Sequence, residues 1–163
     1  MTQDVQTIQK DRMRYTKDSF SSSLVLLAIV LDCLYFVSIY QSDVGTYYYN
    51  WVIGVSIVYN LVFLLAAFLA SESVKNRRSG YSPVLIVLGV IQIIRVFYLP
   101  AKAHAATALV SGVDVPVMGD KQYLYVTTCL VLSAVCCIVA ALTSARNNKI
   151  LADYLRSIDD PAA

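Results

Sequence analysis

The sequence predicts an all-α integral membrane protein, a four-helix bundle of up-and-down topology with both termini in the cytoplasm. Three observations predict it. Hydrophobic residues make up 58% of the chain and charged residues only 15%, four long apolar segments divide the 163 residues, and Lys and Arg are concentrated beside the ends of those segments. A soluble domain ordinarily carries about 25% charged residues, so this composition favours a chain surrounded by lipid.

Each apolar segment is close to the roughly 20 residues that an α-helix needs to cross a hydrocarbon core of about 30 Å. The predicted transmembrane helices cover about residues 20–40, 51–70, 83–99 and 124–145. Outside them lie a polar N-terminal tail at 1–19, an external connection at 100–122 and a cytoplasmic amphipathic tail at 146–163. These pieces are too short for a separate soluble domain, so the sequence predicts a single membrane domain over residues 1–163.

The ends of the helices carry local signals. Ser21 to Ser23 offer hydroxyls that cap the first helix, and Ser82-Pro83 predict a sharp start for the third. Within the external connection, residues 101–110 are predicted to form a short surface helix or to extend the third helix past Pro100, and the rest is predicted as loop. In the tail, apolar residues recur at helical spacing, which predicts a helix on the inner leaflet or on a partner subunit.

The distribution of positive charge predicts the orientation. Ten of the 13 Lys and Arg residues precede the first segment, lie between the second and third, or follow the fourth. Only Lys102 and Lys121 lie in the opposite connections, and Arg95 lies inside the third segment. Short cytoplasmic loops are enriched in Lys and Arg, so both termini are predicted to be cytoplasmic, most simply at the cell membrane.

A polar layer is predicted at mid-membrane depth. The midpoints of the four segments fall close to Asp32, Asn60, Gln92 and Ser133, and Arg95 lies one helical turn from Gln92 on the same face. A charge at the bilayer centre costs at least about 2.5 to 3.5 kcal/mol, so Asp32 and Arg95 are expected to form an ion pair inside the bundle. The layer then either fixes helix register or marks an ion, proton or substrate path.

Two groups of residues are predicted to contact the membrane surfaces. The aromatic cluster at the outer boundary is typical of an interfacial belt, with an aromatic ligand platform as the alternative; its members are Tyr47, Tyr48, Tyr49 and Trp51. On the inner side, Lys75, Arg77 and Arg78 are predicted to contact anionic lipid head groups.

The sequence contains no recognisable catalytic, metal-binding or cofactor-binding motif. His104, the only histidine, has no partner at metal-ligand spacing and is predicted to be a solvated loop residue. The four cysteines lie within the apolar segments and are interpreted as small packing residues. The sequence contains no nucleophile elbow and no phosphate-binding glycine loop. We therefore expect no catalytic residue, metal or cofactor, and the small net charge of +2 argues against a nucleic-acid partner.

Small residues recur every four positions on the fourth helix, at Ser133, Cys137 and Ala141. Such stripes allow helices to approach closely, either within the bundle or between subunits. Three functions remain in order of preference: a non-catalytic subunit or accessory of a membrane complex, a small transporter or ion-conducting subunit that uses Asp32 and Arg95, and a membrane enzyme. The expected partners are membrane lipids and either other membrane subunits or further copies of this chain.

Overall fold

The computed structural model describes Ile8, Asp11 and residues 16–40, 51–110 and 113–159 of the chain. Four α-helices dominate it, and each is long and apolar enough to cross a membrane. The elements in chain order are α1 (Ser19–Tyr40), α2 (Trp51–Lys75), a 3₁₀ turn (Ser79–Tyr81), α3 (Ser82–Ala105), β1 (Thr107–Val110), β2 (Val113–Pro116) and α4 (Asp120–Asp159). The predicted all-helical fold with four membrane-length helices is confirmed.

Helix α4 is the longest element. It runs without interruption for 40 residues, about 60 Å at 1.5 Å per residue, so the helix predicted in the tail is present over residues 146–159 and continues the fourth helix directly. The physical reason is that neither Gly nor Pro occurs between Asp120 and Asp159, and these are the residues that most strongly end helices. Helix α4 is therefore about twice as long as the hydrocarbon core is thick.

The packing of the bundle is uneven. Helix α4 packs along both α1 and α3, α1 also packs on α2, and α2 and α3 make the fewest contacts of the neighbouring pairs. At Gly89, a Cβ atom would lie 2.8 Å from Cγ1 of Ile138, so the missing side chain lets α3 approach α4. Ser133, Cys137 and Ala141 are fully buried, which places the predicted small-residue stripe inside this bundle.

One end of the bundle brings together the start of α1, the end of α2 and the start of α3. Ser22 Oγ lies 2.9 Å from Ser71 Oγ, and Ser82 Oγ donates to Ser144 Oγ at 3.4 Å. The cap of α1 is Asp18, whose Oδ1 accepts a hydrogen bond from the Ser21 backbone N–H at 3.2 Å. The expectation that Ser21 to Ser23 cap this helix was wrong, because Asp18 stands three residues before that N–H and provides a stronger acceptor.

The opposite end carries a short antiparallel hairpin. Strand β1 pairs with β2 from Thr107 opposite Pro116 to Val110 opposite Val113. The helix predicted for residues 101–110 is therefore wrong from residue 107 onward, and the loop predicted for the second half of the connection is wrong at β2. Valine at 110, 113 and 115 favours extended backbone. Helix α3 continues past Pro100 to Ala105, and Met118, after the hairpin, is buried against the ends of α1, α3 and α4.

Candidate functional site

The centre of the bundle contains an ion pair between α1 and α3. Arg95 Nη1 donates to Asp32 Oδ1 at 2.7 Å, and the two side chains are only 10% and 0% exposed. The distance is typical of a strong, charge-assisted hydrogen bond. The predicted pair is present, since residues near the middle of two membrane-length helices lie at the same depth and both charges need a partner there.

Gln92 connects this pair to α4. Its Nε2 donates to Asp32 Oδ1 at 2.9 Å and lies 3.4 Å from Ser133 Oγ. Its Oε1 accepts a hydrogen bond from Arg95 Nη1 at 2.9 Å, which follows from the three-residue spacing of Gln92 and Arg95 on one helix face. Ser133 Oγ in turn donates to the Ala28 carbonyl at 3.1 Å. The network thus joins α1, α3 and α4.

Asn60 connects α2 to this network, because its Oδ1 accepts a hydrogen bond from Arg95 Nη2. All five residues predicted for the polar layer, Asp32, Asn60, Gln92, Arg95 and Ser133, are therefore brought together and buried. The guanidinium of Arg95 is the centre of the layer, since it contacts side chains from α1, α2 and its own helix.

Two tyrosine rings complete the surroundings of Arg95. Its Cζ atom lies 4.7 Å from the ring centroid of Tyr35 and 4.4 Å from that of Tyr59. Aromatic faces attract a cation at such distances, and the attraction is strongest away from water. Sequence reasoning missed both tyrosines. The available signal was that Tyr35 follows Asp32 by three residues on the same helix face and that Tyr59 is adjacent to Asn60.

Three buried polar atoms around the layer have no hydrogen-bond partner among the residues that the structure describes: Asp32 Oδ2, Tyr59 Oη and Asn60 Nδ2. Leaving a buried polar atom unsatisfied ordinarily costs about 1 to 3 kcal/mol. The layer as a whole combines one negative and one positive side chain, so it is electrically neutral. It can fix the helices relative to one another, and it retains acceptor and donor capacity on Asp32 and Asn60.

A cavity of about 190 Å³ lies between α2 and α3 and reaches Arg95. Its wall is almost entirely aromatic and aliphatic, and Ser56 and Arg95 are its most polar members. The cavity occurs where the bundle is least tightly packed, because α2 and α3 contact each other less than the other neighbouring helices do. It therefore places an apolar space directly beside the charged layer.

The residues predicted to contact the membrane surfaces differ in exposure and in the contacts they make. Trp51 begins α2 with its side chain exposed, whereas Tyr47, Tyr48 and Tyr49 lie outside the described residues. Lys75 Nζ is 3.4 Å from Glu72 Oε1. Arg77 Nε donates to the Thr16 carbonyl at 2.9 Å, and its φ of 55° places it in the left-handed conformation at the end of α2. Arg78 is exposed. Contact of Lys75, Arg77 and Arg78 with anionic lipids stays a prediction.

His104 lies in the last turn of α3 and not in a loop, which corrects the sequence-based expectation. Its ring stacks on Tyr123, with the centroids 4.4 Å apart, and Nδ1 is 3.4 Å from the Met118 carbonyl. Helix α3 extends far enough past Pro100 to include this residue. Within the part of the chain that the structure describes, no group of three or more His, Cys, Asp and Glu side chains is arranged to hold a metal ion.

Comparison with known proteins adds no family assignment. No protein-family model matches the chain, and neither curated proteins nor solved structures give a match.

Proposed function

We propose that this chain acts without catalysis as a subunit or accessory of a membrane complex, and that its polar layer holds the four helices in register. The observation that carries the proposal is the enclosure of Arg95: its partners Asp32, Gln92 and Asn60 all belong to this chain. A buried pair in which each charge neutralises the other is a poor carrier of ions or protons, because moving either charge exposes the other.

The proposed arrangement is an up-and-down bundle with both termini in the cytoplasm of the cell. The hydrogen bonds of Ser22 with Ser71 and of Ser82 with Ser144 support it, because they join the start of one helix to the later part of the next. The concentration of Lys and Arg near this same end of the bundle favours the cytoplasmic assignment. Short connections leave most of the remaining surface to lipids and to other membrane subunits.

Native mass spectrometry after extraction in a mild detergent tests the proposed role. We expect a complex in which this chain is present at a fixed ratio to at least one different membrane protein. Recovery of the chain only as a monomer or only as a homo-oligomer would overturn the proposal.

The second candidate function is transport by a small transporter or ion-conducting subunit. It is favoured by Asp32 Oδ2 and Asn60 Nδ2, which find no hydrogen-bond partner among the described residues, since ionisable groups inside a membrane mark many ion and proton paths. Proton and cation flux into proteoliposomes of the purified chain decides between the two. Transport predicts that Asp32→Asn abolishes flux while expression is retained, whereas a register-holding layer predicts no specific flux in either protein.

A further inference from the structure

The cavity between α2 and α3 has the properties of a binding site for a small molecule dissolved in the membrane. We propose that it binds a neutral, lipid-soluble compound that combines one aromatic ring with a carbonyl group. This proposal goes beyond the role in a membrane complex and does not depend on it, because a ligand site beside Arg95 is compatible with either candidate function.

The volume of the cavity and the residues of its wall favour a ligand with one aromatic ring. An apolar cavity of about 150 Å³ in a well-studied protein binds benzene, so a volume of about 190 Å³ accommodates a single ring with a short substituent. Tyr35, Tyr59 and Tyr98 contribute to the wall, and aromatic rings pack favourably on one another in offset or edge-to-face arrangements. The cavity therefore favours a planar aromatic group over a flexible acyl chain.

The polar residues of the cavity wall favour a ligand that carries a carbonyl group and no net charge. Arg95 and Ser56 both line the cavity. An Arg guanidinium carries five N–H donors, and the hydrogen bonds to Asp32, Gln92 and Asn60 use three of those of Arg95. The charge of Arg95 is already matched by Asp32 at 2.7 Å, so an anionic ligand would place a second negative charge beside Asp32 with no cation to balance it. A carbonyl oxygen accepts a hydrogen bond from Arg95 or Ser56 without adding charge.

The position of the cavity defines the route of entry. Val55, Ile94 and Tyr98 line it and are also exposed on the outside of the bundle, which faces hydrocarbon in a chain that spans a membrane. A second, more open groove along α2 shares Val55 and Tyr59 with the cavity and extends to Trp51. A membrane-dissolved compound thus reaches Arg95 sideways, between α2 and α3.

Fluorine NMR of the full chain in lipid nanodiscs tests the proposal with two probes of the same shape. The first is 4′-fluoroacetophenone, and the second is 4-fluoro-α-methylstyrene, in which a C=CH₂ group replaces the carbonyl. We expect saturable line broadening of the ketone and binding about threefold to tenfold tighter than that of the alkene, the range that one hydrogen bond supplies. Equal binding of the two probes, or broadening that does not saturate, would overturn the proposal.

Two variants locate the binding. Ser56→Phe fills the cavity, and the ketone is expected to lose its saturable broadening. The control Leu61→Phe adds the same side chain on an exposed part of α2, outside the cavity, and is expected to bind like the unaltered chain. Ser56→Val is a smaller change for the case that Ser56→Phe does not fold: it removes the hydroxyl and places a methyl group at the cavity wall, so ketone binding is expected to weaken at least threefold. Unchanged ketone binding in a folded Ser56 variant contradicts the assignment.

Discussion

Arg95 on α3 and Asp32 on α1 are joined by a 2.7 Å hydrogen bond across two helices whose backbones hardly approach each other. The close backbone contacts of the bundle are instead between neighbouring helices, above all between α4 and its neighbours α1 and α3. The ion pair therefore connects α1 and α3, which lie diagonally across the bundle and are too far apart for close apolar packing. Gln92 and Asn60 extend the same connection to α4 and α2.

Removal of one charge is expected to be more harmful than removal of both. Arg95→Gln leaves the buried carboxylate of Asp32 without its cation, a change that ordinarily costs about 3 to 5 kcal/mol. In Asp32→Asn/Arg95→Gln both positions are neutral and keep hydrogen-bonding side chains, so the loss should be smaller than in the single Arg95 variant. Reversible unfolding of the purified chain in mild detergent, followed by circular dichroism, measures the difference.

The control for the charge variants is Arg78→Gln, which removes an exposed positive charge and is expected to change stability by no more than about 0.5 kcal/mol. The interaction between Asp32 and Arg95 follows from the four proteins of a double-mutant cycle. If the losses in the two single variants simply add in the double variant, the ion pair does not connect α1 and α3 energetically.

Gly89→Ala is expected to destabilise the bundle by about 1 to 3 kcal/mol. The new methyl group would lie 2.8 Å from Ile138 Cγ1 and 3.1 Å from the Ala134 carbonyl oxygen, and the carbonyl belongs to the backbone of α4 and cannot rotate away. The matched control is Gly54→Ala, where a Cβ atom meets nothing within 4 Å. That variant should be neutral or stabilised, since alanine is the better helix former.

Thermal unfolding in the same detergent compares the two glycine variants. The additional substitution Ile138→Ala removes both Cγ1 and Cδ1, the two side-chain atoms that a Cβ atom at position 89 would meet, so Gly89→Ala should cost less stability in the Ile138→Ala background than in the unaltered chain. A Gly89→Ala variant as stable as Gly54→Ala would show that α3 and α4 are not packed as closely as the distance at Gly89 implies.

The polar layer was predictable because helix geometry is regular. A rise of 1.5 Å per residue converts a position in an apolar segment into a depth, so the shared depth of Asp32 and Arg95 follows from the sequence. The rotation of each helix about its axis is not set by depth. That is why Tyr35 and Tyr59, which face the Arg95 guanidinium only through the packing of α1 and α2, were not identified.

The ends of the elements beyond the apolar segments were predicted less well. The apolar character of the fourth segment ends near Ala145, but α4 continues to Asp159. Hydrophobicity marks only the apolar part of a helix, whereas the polar residues that follow also favour helical backbone and include neither Gly nor Pro. The strands 107–110 and 113–116 are only four residues each. At that length, alternation of apolar and polar residues is too short to be distinguished from a loop.

Asp18→Ala is expected to destabilise α1 by about 0.5 to 2 kcal/mol. Asp18 accepts hydrogen bonds from the Ser21 backbone N–H and hydroxyl, and its Oδ2 also accepts one from Asn147 Nδ2 at 3.2 Å. The substitution thus removes both the cap of α1 and a connection to α4. Hydrogen exchange of the first turn of α1 should increase, while exchange at mid-membrane should not.

The control for the cap is Ser23→Ala. Its hydroxyl donates only to the Ser19 carbonyl within the same helix and is exposed, so neither exchange nor stability should change by more than about 0.5 kcal/mol. Equal behaviour of Asp18→Ala and Ser23→Ala would contradict the capping role of Asp18.

The proposed orientation predicts which side of the membrane each connection reaches. Leu109→Cys places a thiol on the exposed face of β1, and Gly80→Cys places one between α2 and α3 where a Cβ atom meets nothing within 4 Å. With both termini cytoplasmic, a membrane-impermeant maleimide added to intact cells should label Leu109→Cys and not Gly80→Cys. Permeabilised cells should label both, which controls for accessibility. The reverse pattern in intact cells would place the termini outside, and labelling of both variants there would contradict a single membrane crossing by α3 between the two connections.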